Sequence, residues 1–248
     1  MVSTTSTLGR MTATETRLFL RDKVGTGLAF LLPLGLLVVF GSNGMGAAAA
    51  QGDAPPAGFL PAMTLGLSVA MLGLTVLPTI LATYREKGIL RRLRTTPTHP
   101  STVLIAQLII NLGAILITAV AIVVLAIMAF DLPAAGNWPG FVVSFVLMTT
   151  ALLAVGLIIA AVSSTAKIAT GAGMIIFFPS MFFAGIWTPG DLMPQWARPI
   201  RDVSPLGAGM EGMQSAWDGA WPSVTGIVAM IVVTVVGSAI AARLFRWE

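Results

Sequence analysis

Residue types that activate a nucleophile or bind a metal are scarce in this sequence, and the few present lack partners. With no cysteine there is no disulfide, thiolate nucleophile or sulfur-based metal site, and the single histidine, His99, provides no ligand set for a structural zinc. His99 has no Gly-x-Ser-x-Gly elbow to activate, so it reads as an ordinary polar residue between apolar segments. Lys23, Lys87 and Lys167 all stand outside a Gly-x4-Gly-Lys-Ser/Thr loop, which removes the usual cradle for ATP phosphates. The expectation is a chain without catalytic residues, metal or cofactor of its own. What remains is recognition.

Two constellations could recognise something. The stretch Tyr84 to Pro100, YREKGILRRLRTTPTHP, is basic and amphipathic: Ile89, Leu90 and Leu93 share one helical face, while Arg85, Arg91, Arg92 and Arg94 keep the other polar. Such a segment either rests on anionic lipid or docks on a partner protein. The second constellation is intramolecular. At 100° per residue Thr64, Ser68, Met71, Thr75 and Thr79 form one mildly polar stripe, and Met174, Phe177, Phe178, Met181 and Phe182 form a soft aromatic surface. Polarizable side chains of this kind can repack around several ligands and so could line a cargo path. The competing reading is that the hydroxyls bond their own helix or join helices, while the Phe and Met residues pack or meet lipid.

The elements that carry these residues must sit in lipid. Apolar residues make up 56% of 248 and charged residues 10%, with a mean hydropathy of +0.91, too little polarity to cover a water-soluble globule. Six continuous apolar runs are each long enough to cross: Val24 to Gly41, Leu60 to Thr83, Thr102 to Phe130, Gly140 to Val162, Ile168 to Ile186 and Val224 to Leu244. No Asp, Glu, Lys, Arg or His falls mid-span, which disfavours a proton-coupled carrier. Twelve of the fourteen basic residues fall in the N-terminal tail, the connections after spans two and four, and the C-terminus, so both ends are expected in the cytoplasm. That asymmetry accounts for the pI near 10.3 without nucleic acid. All six tryptophans lie beside or between spans, the pattern of an interfacial belt. Thr12 and Glu15 have capping-box spacing for a short in-plane helix before span one. Between spans five and six, Trp187 to Ser223 is broken by Pro189, Pro194, Pro199 and Pro205, and Leu206 to Trp217 is expected as a helix in the outer headgroup layer.

Three blocks in this order resemble the type-2 ABC exporter permeases, a class that includes daunorubicin/doxorubicin-resistance permeases. Leu18, Phe19, Leu20, Arg21 and Asp22 match the family's elbow helix, and Arg85, Glu86, Lys87 and Gly88 match the start of its coupling helix. Gly185, Pro189, Met193, Pro194, Trp196, Pro205 and Leu206 resemble its outer re-entrant region. Ile89 stands where Thr is common, and Ser204 where Asn often precedes Pro-Leu.

The resemblance implies one all-α integral membrane permease domain over residues 1–248. This is a six-transmembrane-helix bundle with an N-terminal in-plane elbow helix at 12–23, a cytoplasmic coupling helix at 84–94 after span two, and outer re-entrant helices within 187–223. It further implies a second permease protomer, identical or paralogous, and two copies of a cytoplasmic ABC ATPase that carries the Mg-ATP. The coupling contact would then be Tyr84, Arg85, Glu86, Lys87, Gly88, Ile89, Leu90 and Leu93, and the cargo an amphipathic or hydrophobic, drug-like or lipid-like molecule exported across a bacterial plasma membrane. Gly88 would allow close backbone approach and Glu86 would supply charge complementarity to the ATPase. The rival class is a polytopic membrane enzyme, assembly factor or channel. Such a protein would need convergent polar or ionisable residues at one depth.

Overall fold

Apolar runs of this length satisfy their backbone polar groups in lipid only by coiling, and the computed structural model is helical, with no strand among the described residues. It describes residues 9, 11–13, 15–17, 21, 25–42, 56–89, 101–187 and 193–244. The helices are α1 (Gly25–Ser42), α2 (Phe59–Glu86), α3 (Ser101–Ala129), α4 (Trp138–Val162), α5 (Ala166–Phe183), α6 (Arg198–Val203), α7 (Pro205–Trp217) and α8 (Val224–Leu244). Five of these, α2, α3, α4, α5 and α8, are long and apolar enough to cross a bilayer, while the apolar stretch Phe30–Ser42 of α1 is shorter. Arg85 reaches the end of α4, Gln107 reaches Tyr84 from near the start of α3, and Glu86 meets the start of α5. Gly237 of α8 lies on Ala154 and Ile158, so α2, α4 and α8 run one way and α3 and α5 the other. One end of the bundle therefore gathers Arg85, Lys87, Lys167 and Arg243, and is called the basic end below.

The core lies where α2 and α4 run side by side in the same direction, with α5, α7 and α8 packed around them and α1 and α3 along the other flank of α2. Local chemistry places the ends. Asn137 accepts the Gly140 N–H at 3.0 Å to start α4, Thr165 accepts the Ile168 N–H at 3.3 Å to start α5, and Ser204 accepts the Gly207 N–H at 3.1 Å to start α7. Ser204 thus does at this position what an asparagine also does well. At the end of α5, Gly185 adopts φ 79° while the Gly185 and Ile186 N–H groups reach back to Phe182 and Met181, a Schellman closure.

Proline has its largest effect inside α2. Pro78 has no N–H to offer Leu74 in α register or Gly73 in π register, and the Leu77 N–H bonds to Leu72, five residues back. Met71–Val76 accordingly widens into a π-helical segment. Gly156 of α4 and Gly173 of α5 let the bulge approach: a Cβ at Gly156 would overlap the Gly73 carbonyl oxygen, and one at Gly173 the Leu74 carbonyl oxygen. Two small residues therefore seat the middle of α2 against both neighbours.

Three expectations need correction. Helix α7 is buried almost all round, inserted between α2, α4 and α8, so it does not rest in the headgroup layer. Gly209 and Gly212 admit it, since a Cβ at either would strike Met148 or Ser144. Trp217 is only 4% exposed and packs on Trp138 and Phe141, with ring centroids at 6.4 and 5.6 Å, so it belongs to the core and not to an interfacial belt. Nor do Thr12 and Glu15 form a capping box: the chain is already helical at residues 11–13, Thr12 gives its carbonyl to Thr16, and the Glu15 side chain goes elsewhere.

Candidate functional site

The last turn of α2 holds three consecutive polar residues, and each ties to a different part of the bundle. Tyr84 donates its hydroxyl to Glu15, a carboxylate only 7% exposed, which also accepts from Gln107 Nε2 of α3 at 2.6 Å. Arg85 Nη1 donates to the carbonyls of Ala160, Ala161 and Ser163 at 3.1, 3.2 and 2.8 Å. These are carbonyls at the C-terminal end of α4, where helix geometry leaves acceptors unpaired and favours a cation. Glu86 accepts the Ala166 N–H at 2.9 Å, the first residue of α5, where an anion is favoured. Burial of the Glu15 charge is thus offset by two directed donors, and the turn between α4 and α5 is gripped from both sides.

This arrangement revises the boundary of the expected 84–94 helix. Tyr84, Arg85 and Glu86 close the transmembrane helix α2 and do not open a separate one. Lys87 follows, and Gly88 turns the chain with φ 64° while its N–H bonds to the Arg85 carbonyl. Glycine suits this position because the left-handed backbone conformation strains other residues. Helical geometry returns at Ile89. Leu90 and Leu93, the basic Arg91, Arg92 and Arg94, and His99 lie outside the described residues, as do Leu18, Phe19 and Asp22 of the elbow. Arg21 is helical and exposed.

The helices that carry the two faces expected to line a path, α2 and α5, pack against each other. Thr79 and Thr170 pair hydroxyls at 2.9 Å across α2 and α5. Thr64 is fully buried and donates to Leu60 and Pro61, Thr75 donates to Met71, and Ser68 is buried with no partner for its hydroxyl. Met71 is half-buried. On α5, Phe177 and Met181 point into the core, whereas Met174 and Phe178 are exposed and Phe182 is half-exposed. Phe178 stacks edge-on with Phe177 at 5.5 Å and meets the Trp187 ring at 6.2 Å. A separate apolar groove of 330 Å³ opens between α3, α4 and α8, above the Thr150–Thr234 hydroxyl contact at 3.4 Å.

Sequence reading missed the roles of Glu15, Gln107, Arg85 and Glu86. Their partners lie 69 to 92 residues away, so no local pattern marks the pairings. The local signal was that Gln107 is a polar residue inside the apolar run from Thr102 to Phe130, and Glu15 a carboxylate ahead of the first run.

Comparison with known proteins places the chain. It is 21% identical over 189 residues to the "Probable multidrug ABC transporter permease YbhR" of Escherichia coli K12, an alignment covering 72% of this chain and 50% of that protein. It is 28% identical over 200 residues to the "Daunorubicin resistance ABC transporter permease protein DrrB1" of Streptomyces coeruleorubidus, covering 76% of this chain and 69% of that protein. The chain therefore spans about half the length of the first of these relatives. No solved structure matches with significance. The family model for the ABC-2 type transporter matches residues 7–217, from the N-terminal helix through α7, and on that match the chain belongs to the ABC-2 type transporter family.

Proposed function

We propose that this chain is the membrane-spanning permease subunit of an ABC exporter, moving an amphipathic or hydrophobic, drug-like or lipid-like cargo outward from the cytoplasm. The observation that carries the reading is the three-way tie at Tyr84, Arg85 and Glu86. It joins the end of α2 to Glu15, to α3 and to the α4–α5 turn, beside the residues expected to carry the ATPase contact. A displacement delivered to Lys87–Ile89 then moves several helices together, which a flexible loop could not do.

In this reading the basic end faces the cytoplasm, α1 is the sixth span, and residues 12–23 are the elbow. A separate ATPase, in two copies, binds the Mg-ATP. A second permease protomer, identical or paralogous, completes the path in a bacterial plasma membrane. The exposed α5 residues Met174 and Phe178 and the half-exposed Phe182 line that path, while Thr64, Ser68 and Thr75 support it from within. The printed names of the relatives, multidrug and daunorubicin resistance, support a drug-like cargo.

The test is ATP hydrolysis by the purified permease and ATPase complex in lipid, with and without amphipathic dyes and anthracyclines. Stimulation by cargo that Phe178→Ala weakens and Thr64→Val leaves intact is the expected result. Equal stimulation in both variants removes the α5 face from the path.

A further inference from the structure

We propose that the apolar groove between α3, α4 and α8 is a binding site for one acyl chain of a membrane lipid from the leaflet at the basic end, its methyl terminus directed at the Thr150–Thr234 contact. The inference needs these helices to cross a bilayer, and rests on neither the ATPase nor the cargo.

Three helices agree on its depth. Ile105 stands four residues after the start of α3, Leu157 five before the end of α4 and Ser238 six before the end of α8, so at about 1.5 Å per residue the shallow end lies roughly 6–9 Å from the basic end. Leu112, Thr150 and Thr234 mark the deep end, roughly 15–18 Å in by the same rise. Half of a hydrocarbon core of about 30 Å is one leaflet, and the groove stops near that depth. Helix α3 packs on α1 and α2, and beyond the contact of Leu104 with Ala161 the groove separates it from α4 and α8. A bilayer fills such a gap, because wall atoms without neighbours forfeit dispersion contacts. Ile105, Ile109 and Leu112, each 42–47% exposed, leave the groove open at the side where lipid stands.

The lining selects the occupant. Its apolar side chains are all aliphatic and none of its residues is aromatic or charged, which suits an alkyl chain and gives a planar or cationic cargo nothing to stack on or pair with. At the deep end Thr150 donates to the Val146 and Leu147 carbonyls at 3.0 and 3.1 Å, and Thr234 donates to Met230 at 2.8 Å, so neither hydroxyl has a donor left for a polar group. Ser238, exposed, places its hydroxyl at the shallow end, on the side from which a lipid ester enters. The chain therefore lies with its apolar end deepest.

The test uses the full chain in vesicles of phosphatidylethanolamine and phosphatidylglycerol containing a trace of phosphatidylethanolamine with a diazirine on one acyl chain, either at its terminal carbon or near the ester. After illumination the adducts are mapped by peptide mass. The terminal label is expected around Leu112, Thr150 and Thr234, and the ester-proximal label around Ile105 and Ser238. Ile109→Trp and Ser238→Phe, which fill the groove from exposed positions, should each lower the yield there severalfold, while Ile117→Trp, at a more exposed position of α3, leaves it unchanged. Adducts spread evenly over the exposed α3 positions from Ile109 to Met128, or indifferent to both groove variants, make the lipid an ordinary bilayer neighbour and overturn the proposal. A reversed order of the two labels overturns the direction of the chain. Labelling that an amphipathic dye removes while excess unlabelled phospholipid does not makes the groove a cargo site and overturns its assignment to lipid.

Discussion

Arg85 donates to three carbonyls at the basic end, so its removal should be felt before any question of transport arises. Arg85→Leu leaves the α4 carbonyls without their cationic donor, and hydrogen bonds to charged groups contribute about 1.5–3 kcal/mol. A lowered thermal unfolding midpoint in detergent is expected, and Arg85→Lys should recover part of the loss, because an ammonium reaches fewer carbonyls than a guanidinium fork. An unchanged midpoint for Arg85→Leu would show the bonds to be surface contacts without weight. Tyr84 and Glu15 offer a sharper test of coupling. Tyr84→Phe and Glu15→Gln should be non-additive by roughly 0.5–3 kcal/mol in a double-mutant cycle, since both act through the same carboxylate; strict additivity would contradict the shared bond.

Among the helices, the π segment of α2 is the feature whose cause and consequence are both visible. Pro78 withholds an N–H, the bulge follows, and Gly156 and Gly173 receive the displaced carbonyls. Gly156→Ala should therefore destabilise the bundle by roughly 1–3 kcal/mol through overpacking. Gly171→Ala, with open space at the same helix as Gly173, should be neutral or stabilise by up to about 1 kcal/mol from helix propensity. Matching unfolding midpoints for the two variants would refute the close approach. The long helices were legible in the sequence because run length and hydropathy report directly on lipid burial: the apolar run from Val224 to Leu244 is α8 residue for residue. Helix α7 was read at the wrong depth because polarity was weighed there and packing was not. The small residues Gly209 and Gly212, which let its backbone approach α4, were the missed signal. The hydroxyl stripe of α2 was legible as a stripe, while its direction, toward α5 and the core, depends on contacts that helical spacing alone does not contain.

Taken whole, the described residues Arg85, Lys87, Lys167 and Arg243 gather at one end of the bundle, and the proposed reading turns that end to the cytoplasm. Reporter fusions at Gly52 and Glu248 should give opposite signals, the first outside and the second inside, and matching signals would break the assignment of α1 as a span. The proposed function stands on one relation: work done by a separate ATPase would reach the cargo through the end of α2. The measurement is ATP-dependent movement of a fluorescent amphipathic cation into sealed inside-out vesicles holding the permease and its ATPase, with hydrolysis recorded in the same sample. The prediction is accumulation that requires both ATP and an active ATPase, and that falls in Arg85→Leu while the ATPase remains bound and hydrolysing. Accumulation that persists without the ATPase, or with an ATPase unable to hydrolyse, would contradict it.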